Sequence, residues 1–151
     1  MKNERGLTMK RFLCALLILC FVPICAFALD LSEFNIYASV LGSPEINEDE
    51  LKSSGKYKGI TQGDSNIYFE EDENELNSIF VDGNGEDFLA YCCAAIHVFD
   101  PNGDTTRNHG QLLTMYFLAR TKTEHQTGET SNGLYFFIEP SEKGFLFMIG
   151  K

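Results

Sequence analysis

Asp100-Pro101-Asn102-Gly103-Asp104 places oxygen-bearing side chains at alternate positions of a short loop between two apolar segments. Oxygens so spaced converge on one hard cation, and an excess of acidic over basic residues, 22 against 12, suits calcium. Asp82, Asn84 and Glu86 repeat the spacing. An apolar helical pattern begins just after them, so they serve better as a turn and a helix start. His97 lies four residues after Cys93, and a helix there puts thiol and imidazole on one face. Such a pair does nucleophilic chemistry only where an electropositive setting holds the thiolate. The neighbours of Cys93 are apolar and the chain is acidic, which opposes that. His97, His109 and His125, with Asp100, Asp104 or Glu124 nearby in sequence, are the candidates for general-base work, His109 foremost.

The loop from Asp100 resembles the opening of an EF-hand, and the resemblance covers Asp100, Asn102 and Asp104 only. Thr105 stands where the turn glycine is expected, and Gln111 where the bidentate glutamate is expected. A plain D-P-N-G turn asks for the same residues for backbone reasons. Asp100, Asn102 and Asp104 are thus calcium candidates and no other cofactor is implied. The chain has no G-x-S-x-G, no H-E-x-x-H, no phosphate-binding glycine loop and no dinucleotide fingerprint.

The elements that would carry these residues follow from periodicity. Glu86 to Phe99 predicts a helix, with Phe88, Cys92, Ile96 and Phe99 on one stripe and Asp100-Pro101 as its stop. Gln111 to Lys122 fits a helix through Leu112, Tyr116 and Ala119, although Leu113, Met115 and Phe117 also alternate as a strand would. Its good helix formers favour the helix. Lys56 to Gln62, Asn66 to Glu70 and Leu76 to Val81 read as strands. Leu29 to Lys56 reads as a short docking segment and a loop, and Thr123 to Asn132 as a loop. Leu134 to Ile138 and Phe145 to Ile149 are two aromatic runs about a turn, an antiparallel hairpin. The order β-β-β-α-α-β-β predicts an α+β fold: an antiparallel sheet of about five strands with two helices packed on one face.

The start of the chain gives an address. Lys10-Arg11, the apolar run Phe12 to Val22 and the exit Ala26-Phe27-Ala28 form a secretory signal pattern over residues 1–28. The apolar run is too short to span a bilayer, which takes ~20 residues. Bulky Leu19 and Ile24 before Cys20 and Cys25 do not suit lipoprotein processing. Residues 29–151 are then a single small domain in a secreted or periplasmic compartment, with no membrane span left, and the layout suits small bacterial exported proteins. It carries 8 basic and 21 acidic residues, a net charge of −13. That balance disfavours nucleic acid and anionic membrane surfaces. Only Cys92 and Cys93 remain there, and neighbouring cysteines do not make a disulfide scaffold, since their Cα atoms are about 3.8 Å apart where a bridge wants about 5.5 Å.

Thirteen phenylalanines and six tyrosines exceed what a motif-poor chain needs for chemistry. Some of the terminal hairpin, Tyr135, Phe137, Phe145 and Phe147, can line a face that takes a partner. The reading that follows is an exported, non-catalytic binding domain for a protein or small ligand. A small secreted hydrolase using a histidine and carboxylates, or a calcium-stabilised module around Asp100 to Asp104, are the alternatives.

Overall fold

The computed structural model describes residues 30–73 and 75–151. The signal-peptide reading of residues 1–28 lies outside the described residues. Helix α1 (Ser32–Val40) and a 3-10 turn (Glu48–Glu50) precede strands β1 (Lys52–Ser54), β2 (Tyr57–Gln62), β3 (Ser65–Asp72) and β4 (Glu75–Gly83). Helices α2 (Gly85–Phe99) and α3 (Thr105–Lys122) follow, then strands β5 (Gln126–Glu129), β6 (Tyr135–Ser141) and β7 (Gly144–Gly150). The fold is α+β with one antiparallel sheet, in the order β1-β2-β3-β4-β7-β6-β5. Among the described residues there are seven strands rather than about five, and three helices rather than two. The helical pair separates two meanders, and the last strand returns to the middle of the sheet beside β4.

Strand periodicity sorts the residues by face. Ile67 pairs with Val81 and Phe69 with Ile79; Val81 pairs with Phe147 and Ile79 with Ile149; Phe147 and Ile149 pair with Ile138 and Phe136. All eight are fully buried, and they form one face under the helices. Helix α2 supplies Phe88, Cys92, Ala95 and Ile96 to this core, and α3 supplies Leu112, Tyr116 and Ala119. Phe34 of α1 meets Phe69 edge-on, with ring centroids 5.4 Å apart, and stacks on Tyr91 at 6.0 Å. An amide clamp fixes α1: Asn35 Nδ2 donates to the Ile46 carbonyl and accepts from the Ile46 N–H through Oδ1, both at 2.8 Å.

The caps explain where the helices begin. Asn84 Oδ1 accepts from the Gly85 N–H at 2.9 Å, and Glu86 and Asp87 fill the first turn at the positive end of the dipole. Asp104 Oδ1 accepts from the Arg107 N–H at 3.0 Å, which starts α3 six residues before its apolar stretch. The segment 111–122 is helical, the alternative that its helix formers favour. The loop expected at 123–132 contains β5, and the segment expected as docking piece and loop holds α1 and β1.

Candidate functional site

The D-P-N-G turn joins α2 to α3, and its carboxylates have separate jobs. Asp100 is buried. Its Oδ2 accepts from Asn108 Nδ2 at 2.9 Å and from Ser131 Oγ at 3.3 Å, and its Oδ1 accepts from Asn132 Nδ2. Burial pushes its carboxyl up, but the donors Asn108, Asn132, Thr130 and Ser131 outweigh that and hold it below the usual value. Ser131 also accepts from the Asp104 N–H at 2.7 Å, and its own N–H donates to Asn108 Oδ1 at 2.6 Å. Asp100 is therefore the hub that ties the helix–helix turn to the β5–β6 turn. Asp104 caps α3, and Asn102 is exposed. Among the described residues, no three His, Cys, Asp or Glu side chains are grouped as metal ligands. Asp82, Asn84 and Glu86 are divided in the same way. Asp82 Oδ1 accepts from Ser141 Oγ, Asn84 caps α2 and also accepts from Tyr116 Oη at 3.0 Å, and Glu86 is exposed.

Cys93, His97, Asp100 and His109 do meet, around a crevice of about 10 Å³ between α2 and α3. That is the room of one water molecule and no substrate. Burial pushes the Cys93 thiol up to about 12 and Cys92 well above its ordinary value, so neither forms a thiolate near neutral pH. His97 is stacked on Tyr37, with ring centroids 3.5 Å apart. Burial lowers the pKa of His97 and of His109.

The other face of the sheet carries a different pattern. Gly59, Tyr68, Phe80, Met148, Phe137 and Thr127 pair in succession from β2 to β5, one register row across six strands. None of them belongs to the buried core. Tyr68 is 39% exposed, Phe80, Met148 and Phe137 are half-buried, and Tyr135 on the same face is 66% exposed. The strand residues of the hydrophobic core described above come from the opposite face. Beside Tyr68 the row runs into a solvent-open cleft of about 740 Å³, lined by Glu50, Lys52, Ser54, Tyr57, Gly59 and Tyr68. This volume is within the range of ligand sites.

The four hairpin aromatics divide by phase. Tyr135 and Phe137 lie on the open face, whereas Phe145 (8% exposed) and Phe147 (0%) point into the core. Phe145 and Phe147 therefore cannot line an exposed surface, because side chains two apart on a strand share a face and this one is covered by Phe88 and Tyr116. Tyr57, Tyr68, Phe80 and Met148 were not singled out from sequence. Their signal is the alternation Ile67-Tyr68-Phe69 and Ile79-Phe80-Val81, aromatic at the outward position.

Three polar groups sit at the β3–β4 end of this face. Glu70 bonds Lys56 and accepts from Ser78 Oγ. Lys56, then Ser78, hold the Glu70 carboxyl below its usual value against the opposing effect of burial. This is a satisfied ion pair. Comparison with protein-family models, curated proteins and solved structures returned no match.

Proposed function

We propose that the chain is an exported, non-catalytic binding domain that holds a protein partner on the open face of its sheet. One observation carries the reading: the cross-strand row Tyr68, Phe80, Met148 and Phe137, left without a helix over it and continuous with the cleft at Tyr57. Aromatic residues and methionine are enriched in protein interfaces because they bury large areas at low rotamer cost. The thiols above their ordinary range and the one-water crevice around His97 and His109 support a non-catalytic role. The leader pattern up to Ala28 supports export.

The experiment is panning of a displayed random-peptide library against the folded domain, with the double variant Tyr68→Ser/Phe137→Ser as the comparison. Enriched peptides that bind wild type and lose tenfold or more in affinity on the variant support the reading. Absence of enrichment, or binding indifferent to the variant, overturns it.

A further inference from the structure

The apolar row is bracketed by carboxylates, and this deepens the binding-domain reading on which it rests. Asp82, Leu146 and Glu139 pair in succession, one row nearer the β6–β7 turn, so two carboxylates flank a leucine. On the other side Glu129 faces Tyr135 across β5 and β6. Three lysines at the sheet are engaged, Lys56 with Glu70, Lys58 with Glu71 and Lys151 with Glu75, while Lys52 pairs with Gly59 at the far end of the row and lines the cleft. Among the described residues, no Lys or Arg pairs with Asp82, Glu129 or Glu139, and Glu139 has the His125 ring beside it, Nδ1 to Oε2 at 3.5 Å.

We propose that this face binds an extended, cationic and apolar polypeptide segment. Its apolar side chains lie on Tyr68, Phe80, Met148 and Phe137. Its Lys or Arg side chains meet Asp82, Glu129 and Glu139, and the faces of Tyr68 and Tyr135 add cation–π attraction. The row from Gly59 to Thr127 crosses six strands, about 24 Å at ~4.8 Å per strand, which about seven extended residues span. A second copy of the chain is the wrong occupant. A two-fold interface through this face gathers Asp82, Glu129 and Glu139 of both copies into one contact, between domains that each carry −13 over residues 29–151. Nucleic acid and anionic lipid meet the same repulsion.

The test uses three fluorescent heptapeptides: alternating Lys and Leu, alternating Glu and Leu, and alternating Lys and Ser. Anisotropy titrations are run on wild type, on Glu129→Gln/Glu139→Gln, and on Glu33→Gln/Glu86→Gln, whose carboxylates lie on the helices. Sedimentation velocity gives the oligomeric state. The expected result is that Lys/Leu binds at least tenfold tighter than either other peptide. Glu129→Gln/Glu139→Gln weakens it about three- to tenfold, and the helix variant leaves it unchanged. Equal binding of the Glu/Leu peptide overturns the proposal, and so does equal weakening by the helix variant, which marks a non-specific charge effect. A dimer that Phe137→Ser dissociates also overturns it and assigns the face to self-association. If library peptides bind through Tyr68 and Phe137 without a basic bias, only the cationic partner is lost and the binding-domain reading stands.

Discussion

Tyr68 lies on Gly59. The two pair across β2 and β3, and a Cβ built on Gly59 would come within 2.7 Å of the Tyr68 Cδ1. The missing side chain lets the tyrosine ring lie flat at the mouth of the cleft, an aromatic over a glycine on neighbouring strands. The inner face repeats the device at β5, where the Phe136 ring occupies the space that a Cβ on Gly128 would take. Gly59→Ala therefore pushes the Tyr68 ring off the sheet. The expected outcome is a loss of about 1 kcal/mol in urea denaturation and several-fold weaker binding of the Lys/Leu peptide. Unchanged binding would mean that the ring position does not matter to the site.

The division of the hairpin aromatics predicts opposite responses. Phe147→Ala opens a cavity under α2 and costs about 3 to 5 kcal/mol. Tyr135→Ser changes an exposed outward side chain and costs about 0.5 kcal/mol or less. Urea denaturation of the two variants separates them. In peptide titrations the ranking changes, because Tyr135→Ser removes a contact that the open face presents.

What the sequence makes legible is the part whose pattern has a phase. The α2 stripe of Phe88, Cys92 and Ile96 repeats at helical spacing and is wholly buried, so helix and core are read together. The two terminal runs are apolar at nearly every position. Such runs announce strands but not which side faces in, and for that reason Phe145 and Phe147 resemble Tyr135 and Phe137 until the register with β4 is known. The edge strands β1 and β5 have no apolar pattern, since Lys52-Ser53-Ser54 and Gln126-Thr127-Gly128-Glu129 are held by backbone pairing at the sheet margins. Helix α1 is obscured because exposed Ile36 and Val40 blur the buried stripe of Leu31, Phe34 and Ala38. The Asp100 loop is legible in sequence as a set of spaced oxygens, but not as the network those oxygens join. Its spaced oxygens part: Asp100 accepts from the amides of Asn108 and Asn132, Asp104 caps α3 and Asn102 is exposed.

Asp100 carries a stability prediction of its own. Asp100→Ala leaves the buried donors of Asn108 and Ser131 without their acceptor, and the expected cost is about 2 to 4 kcal/mol. The folded carboxyl titrates below its unfolded value of 3.8, so its contribution is present above that value and is lost as pH falls through the folded one. Urea denaturation from about pH 7 to about pH 3 compares wild type with Asp100→Asn. The advantage of wild type shrinks at the acid end. An advantage constant with pH would mean that the ionised carboxylate is not what the network holds.

His97 gives a second pH dependence, at a higher pH. Its ring stacks on Tyr37 at an interplanar angle of 21°, between α1 and α2. Burial disfavours the imidazolium, while Glu33 and Asp100 favour it more weakly, so the folded pKa lies below the unfolded value of 6.5. His109 is lowered in the same direction, by burial first and then by His97. Between the folded and unfolded values the unfolded chain binds more protons, so stability is complete above 6.5 and falls as acid is added. His97→Phe keeps an aromatic ring against Tyr37 and removes the titration. The measurement is the urea midpoint of both proteins from about pH 7.5 to about pH 5. The wild-type midpoint drops across this interval and the variant's drops less, leaving the share that belongs to His109. Parallel curves would move the proton-sensitive contact away from the α1–α2 junction and onto His109 alone.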